Sequence, residues 1–105
     1  MVDELKLQMM RTLENAPEHS QRELAKNFGV SLGSVNFCLN ELIKKGYVKA
    51  KNFKNSRNKV AYAYNLTPSG LQHKTELTIA FLLRKQREYE ELQEEILSLR
   101  EDLKR

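Results

Sequence analysis

Apolar residues recur at helical spacing from the first positions of the chain. Val2, Leu5, Met9 and Leu13 fall on one face, and Pro17 closes the run. In "SQRELAKNFGV", Ser20 followed by Glu23 forms a capping box, in which each residue satisfies the other's backbone N–H. Leu24, Ala25 and Phe28 then make the inner face of a second helix, and Gly29 supplies a left-handed stop. Ser31 caps a third helix only three residues after the second ends. On a wheel of about 100° per residue, Val35, Leu39 and Leu42 cluster, flanked by Leu32, Cys38 and Ile43. Gly33, Phe37, Asn40 and Lys44 lie opposite, with Ser34, Asn36 and Glu41 on the flanks. Lys44 and Lys45 suit the negative helix end, and Gly46 terminates it.

The period then changes from helical to two. Val60, Tyr62, Tyr64 and Leu66 alternate with Ala61, Ala63 and Asn65, which predicts a strand. A partner strand runs from Tyr47 to about Phe53, joined to it through "KNSRNK", whose Asn and Ser residues tolerate turns. "LTPSG" marks the next boundary, with Thr67 as cap and Pro68 at the first helical position. No proline or glycine follows Gly70, so one helix of about 37 residues, roughly 55 Å long, runs to the end. Tyr89, Leu92, Ile96, Leu99 and Leu103 recur at spacings of 3 and 4, a heptad seam. Upstream, Leu71, Leu77, Phe81 and Leu82 broaden the apolar face, as docking on the domain's own core requires. The pattern is mainly α with a small β-hairpin wing (α+β). A winged helix–turn–helix over residues 1–66 precedes a long C-terminal coiled-coil dimerisation helix over 67–105.

Charge sharpens this picture. The 105-residue chain carries a net charge of +4, unevenly spread. Residues 1–70 hold 11 Lys and Arg against 6 Asp and Glu, whereas residues 71–105 hold 7 against 8. Lys44, Lys45, Lys49, Lys51, Lys54, Arg57 and Lys59 fall in one stretch without an acid, which suits a polyanionic partner. No apolar run is long enough to span a membrane, and the opening "MVDELKLQMMRTL" lacks the layout of a signal peptide. A lone cysteine, Cys38, fits a reducing cytoplasm and reads as a small buried hydrophobe. His19 and His73 stand apart from each other and from Cys38, so no metal site is expected. Neither a phosphate-binding glycine loop nor a nucleophile elbow occurs, so the chain is not expected to be an enzyme or to need a cofactor.

The segments "SQRELA", "GVSLG", "VNFCL", "KGYVK", "NFKNS" and "YAYNLTPSG" resemble those of MarR-family regulators associated with exopolysaccharide gene clusters. "KTELTIAFLLRKQREYEELQEEI" resembles the long helix that follows in that family, and the resemblance covers roughly residues 5–97. It implies a bacterial, dimeric, DNA-binding transcriptional regulator controlling polysaccharide-related genes.

The candidate contacts divide by type. Ser20, Gln21 and Arg22 open the second helix, where free amides and the positive dipole end suit a phosphate. Lys51, Lys54, Asn55, Arg57 and Lys59 on the wing, with Lys44, add charged and polar contacts to the backbone or minor groove. The third helix, about 31–45, is the candidate major-groove reader. Asn36 and Asn40 suit adenine edges, Phe37 suits thymine methyls, Gly33 allows close approach, and Ser31 and Ser34 donate hydrogen bonds. Without an arginine on that helix, an A·T-leaning specificity is expected. Phe81, Leu82, Tyr89, Leu92, Ile96, Leu99 and Leu103 are the candidate homodimer contacts. A parallel pair sets Glu95 against the partner's Arg100, whereas an antiparallel pair opposes acids. Two other uses of the same surfaces remain open at this point: a winged-helix adapter that binds a protein, and an RNA-binding module.

Overall fold

The computed structural model describes residues 2–54, 57 and 60–105, with side chains from residue 4 onward. The elements run α1 (Val2–Asn15), α2 (Gln21–Phe28), α3 (Leu32–Lys44), β1 (Val48–Lys54), β2 (Val60–Leu66) and α4 (Pro68–Leu103). The chain divides into two compact units, Met1–Thr75 and Glu76–Arg105.

Local chemistry sets the helix ends. Ser20 stands in extended conformation before α2, and its hydroxyl accepts from the Glu23 amide at 3.1 Å. The Ser20 amide donates to Glu23 Oε1 at 3.0 Å, completing the capping box. Gly29 ends α2 in the left-handed region, with φ +65°, which a Cβ would strain. Ser31 caps α3 by accepting from the Ser34 amide. The Gly70 amide donates to Thr67 Oγ1, so Thr67 caps α4 as its sequence position predicts.

The core of the first unit is apolar throughout, with Leu7, Met9, Met10 and Leu13 of α1 set against Leu24 and Ala25 of α2. Val35, Cys38, Leu39 and Leu42 of α3 complete it with Val48 and Tyr64 of the hairpin. The centre of the α3 stripe is the one its wheel predicts, with Cys38 buried beside it, whereas the flanking Leu32 and Ile43 are exposed. Helix α1 departs from its predicted seam: Leu7 and Met10 are buried and Leu5 only half-buried, while Val2's side chain lies outside the described residues. The reason is that α1 packs on α2 and α3 and also on β2, so its buried arc is wider than a single stripe.

Strands β1 and β2 pair antiparallel in register from Val48↔Leu66 to Lys54↔Val60. Tyr64 is held at the hairpin's base, where its amide donates to the Pro17 carbonyl at 2.9 Å. Alternation predicts a continuous inner face, but Val60 and Tyr62 are 64% and 51% exposed. Only the base of the hairpin meets the helical core, and the period of two continues beyond that contact.

The first two turns of α4 belong to the first unit. The Thr67 amide donates to the Tyr47 carbonyl, and the hydroxyls of Thr67 and Ser69 donate to the Gly46 carbonyl. His73 stacks on Tyr47 with ring centroids 4.3 Å apart, and Lys74 pairs with Glu14 of α1. Leu71, expected to dock on the core, is exposed.

Candidate nucleic-acid interface

Helix α3 presents two chemically distinct faces because its caps and apolar stripe fix its roll. Val35, Cys38, Leu39 and Leu42 are buried, while Ser31, Gly33, Ser34, Asn36, Phe37, Asn40 and Lys44 are exposed. Phe37 is 64% exposed, an unusual position for so large an apolar ring. It borders an open, mostly apolar cavity of about 410 Å³ with Leu5, Ser31, Gly33, Ser34 and Cys38. Burial pushes the Cys38 thiol up from its ordinary value, so the thiolate is disfavoured.

The exposed amides are not independent. Asn40 Nδ2 donates to Asn36 Oδ1 at 3.1 Å, and Asn36 Nδ2 donates to Gln21 Oε1 at 3.2 Å. Gln21 Nε2 in turn donates to the Tyr64 hydroxyl at 3.2 Å. Three of these residues stand among the sequence candidates, but Gln21 stands there as a phosphate contact and Tyr64 does not appear. Tyr64 has a readable signal: a tyrosine at a buried strand position needs a partner for its hydroxyl.

At the start of α2 the capping box occupies part of the expected anion site. Ser20's amide is engaged by Glu23, so its hydroxyl proton and the amides of Gln21 and Arg22 remain for a phosphate. The Ser20 backbone bond holds the Glu23 carboxyl below the usual carboxylate range, assisted by the Ser20 hydroxyl. A negative charge therefore stands at this helix end.

The hairpin register sorts the wing cations. Lys54, Asn52 and Ala50 pair with Val60, Tyr62 and Tyr64 on one face, while Lys51 pairs with Ala63 on the other. Lys51 and Lys54, grouped together in the sequence, thus point to opposite sides. Arg57 is exposed at the turn. Asn55 and Lys59 lie outside the described residues. Between the α2 start and the hairpin lies a cleft of about 650 Å³, bordered by Arg22, Leu32, Phe53, Val60, Tyr62 and Tyr64.

In the second unit, Leu82, Tyr89, Leu92, Ile96, Leu99 and Leu103 are exposed, and Phe81 is half-buried with the Arg84 guanidinium 4.6 Å from its ring centre. Ile79, Leu83 and Leu97, outside the predicted seam, are exposed as well. No helix among the described residues is long and apolar enough to cross a membrane, and no group of His, Cys, Asp or Glu among them is arranged to hold a metal.

Residues 2–49 match the family described as winged helix-turn-helix DNA-binding, which spans α1, α2 and α3 to the start of β1. The matched segment is thus similar to a DNA-binding one. Solved structures extend the likeness to about four-fifths of the chain. The protein smu.1704 of Streptococcus mutans UA159 superposes with a TM-score of 0.73 at 16% identity, covering 81% of this chain and 82% of its own. A MarR/EmrR family transcriptional regulator from Acinetobacter sp. ADP1 gives 0.58 at 22% identity, over 84% of this chain and 58% of its own. Streptococcus pneumoniae FabT, solved in complex with DNA, gives 0.54 at 23% identity, over 77% and 56%. At these identities the likeness is one of fold, and the fold is the winged helix shared with MarR-family regulators. A search of curated protein sequences finds no match.

Proposed function

We propose that the chain is a dimeric, sequence-specific, DNA-binding transcriptional regulator acting in the cytoplasm. Helix α3 enters the major groove, and the wing lies on the backbone or in the adjacent minor groove. The observation that carries this is the winged helix–turn–helix match over residues 2–49, combined with an α3 whose outward face is exposed and bears Asn36, Phe37 and Asn40. FabT, a protein of the same fold, is solved in complex with DNA, which supports the DNA-binding reading.

Affinity comes mainly from phosphates, through Arg22, Lys44 and the wing cations, while specificity comes from amide and aromatic contacts and leans to A·T. Dimerisation uses the exposed stripe of α4 from Tyr89 to Leu103, paired in parallel so that Glu95 meets the partner's Arg100. An exposed apolar stripe of this length on a charged helix needs a cover. Control of polysaccharide-related genes rests on the sequence resemblance in "SQRELA", "NFKNS" and "YAYNLTPSG".

The test is a salt titration of binding to duplex DNA. If each protomer neutralises about four phosphates, log K against log salt falls with a slope of about −7 for the dimer. A slope near zero overturns the proposal, and preference for single-stranded RNA over duplex redirects it to the RNA-binding reading.

A further inference from the structure

The side chains of Tyr64, Gln21, Asn36 and Asn40 form one directed hydrogen-bond chain across three elements. It begins on β2, passes through the first residue of α2 and ends on the outer face of α3. Every donor in it points toward Tyr64. Tyr64 is a fixed origin: it is buried, its amide is tied to the Pro17 carbonyl, and its ring stacks on Tyr62 with centroids 6.3 Å apart. Gln21 is half-buried, and Asn36 and Asn40 are exposed.

The direction of the chain decides which group each amide has left to offer. Gln21 and Asn36 each spend one carbonyl acceptance and one N–H on their neighbours. Asn40 spends a single N–H. Its carbonyl oxygen and its second N–H make no hydrogen bond within the protein among the described residues. An adenine edge presents an N6–H donor and an N7 acceptor, and a free carbonyl with an adjacent N–H matches it bidentately. A surface asparagine alone rotates between two orientations that exchange oxygen and nitrogen. Coupling through two further amides to the buried Tyr64 restrains that rotation, and the direction of donation in the structure leaves the Asn40 carbonyl free. Hydrogen bonds in series also polarise one another, so acceptance of N6–H by Asn40 strengthens the links behind it.

We infer that Asn40 is the residue that reads an adenine, and that Tyr64, Gln21 and Asn36 are positioning residues that set its orientation from the wing. The inference rests on the DNA-binding reading above and assigns roles within it. It also ties the wing to the reading helix, because the origin of the chain lies on a hairpin strand.

Two measurements separate the parts. Tyr64→Phe keeps the buried ring and removes only the hydroxyl. In the free protein, NMR of the side-chain amides is expected to show the Asn40 resonances shifted and their protons exchanging with solvent severalfold faster, although Asn40 does not touch Tyr64. Gln21→Met, which interrupts the chain one link later, is expected to give the same signature. Unchanged Asn40 resonances in both variants overturn the relay, whatever the protein binds. For DNA, the readout is the ratio of affinity for a selected duplex to that for random-sequence duplex at one salt concentration. Tyr64→Phe is expected to lower this ratio about threefold or more. In an Asn40→Ala background the same substitution is expected to have no effect on the ratio. Additive losses overturn the positioning role. A wild-type ratio of one, with the NMR signature intact, overturns the base-reading role and not the relay.

Discussion

Two glycines in the first turns of two helices make opposite predictions for the same substitution. Gly33 is the second residue of α3, and a Cβ there meets nothing closer than Ser31 Oγ at 3.9 Å. Gly70 is the third residue of α4, and a Cβ there overlaps the Tyr47 carbonyl oxygen and lies 2.9 Å from its carbon. Gly33→Ala therefore gains the ordinary helix advantage of alanine, about 0.5–1 kcal/mol. Gly70→Ala has the same advantage but must push α4 off the Tyr47 peptide, and peptide atoms do not yield as flexible side chains do. Overpacking costs about 1–3 kcal/mol. The displacement also lengthens the Thr67 amide bond to Tyr47 and the hydroxyl bonds to Gly46, each worth about 1 kcal/mol. The net loss is about 2–3 kcal/mol, or roughly 1 M in urea midpoint for a slope of about 2 kcal/mol per M. Urea unfolding at one fixed protein concentration measures both variants, because the midpoint of the proposed dimer depends on concentration. A Gly70→Ala protein as stable as wild type, or a Gly33→Ala protein equally weakened, refutes the packing argument. The pair also tests the interface. Gly33→Ala adds a methyl to the outward face of α3, so it is expected to raise stability and lower duplex affinity together.

Glu23 has its carboxyl held low in the folded state, so the unfolded chain takes up its proton at higher pH. Its contribution is complete above the ordinary carboxylate range and is lost as pH falls through the folded value. Glu23→Gln is expected to flatten the acid limb of the urea midpoint against pH, and an unaltered limb contradicts this. Ser20→Ala is expected to cost about 1 kcal/mol by removing the cap. Lys54 shares its hairpin face with Tyr64, the side that reaches Gln21 and the reading helix, so Lys54→Ala is expected to reduce the salt slope by about 2 per dimer. Lys51→Ala is expected to change it less, and equal effects would show that the face assignment is wrong. Replacing both Leu92 and Ile96 with Glu is expected to give monomers by sedimentation at concentrations where wild type is dimeric. A persistent dimer removes the α4 seam from the interface.

Helix boundaries were legible because caps are local. Ser20 with Glu23, Gly29, Ser31 and Thr67 act within a few residues of themselves, and each stands where its chemistry places it. The α3 stripe was legible for a similar reason, since one helix face packs on one core. Burial of Leu7 and Met10 was not, because α1 is packed on more than one side and a single-seam wheel assumes one neighbour. Exposure of Val60 and Tyr62 was hidden too, since alternation persists after a hairpin leaves the core. In the candidate interface, residue types pointed to α3 and the wing, but not to the links among them. Gln21 and Tyr64 are 43 residues apart, and their contact exists only once β2 has folded back onto the α2 start. Lys51 and Lys54 take opposite faces by the period of two once β1 extends to Lys54, but which of them shares a face with Tyr64 needed the cross-strand register.

Two successive peptides join more of this fold than their place in a turn suggests. The carbonyls of Gly46 and Tyr47 receive the first turn of α4, immediately after α3 ends at Lys44. Although 22 residues lie between Lys44 and Thr67 along the chain, the start of α4 is bonded to residues two and three beyond the end of α3. The hairpin is a loop looked at from outside this joint, not a spacer within it. The end of α3 and the start of α4 are therefore joined directly by hydrogen bonds. These bonds do not pass through the wing, so lengthening the wing by insertion is expected to leave them intact.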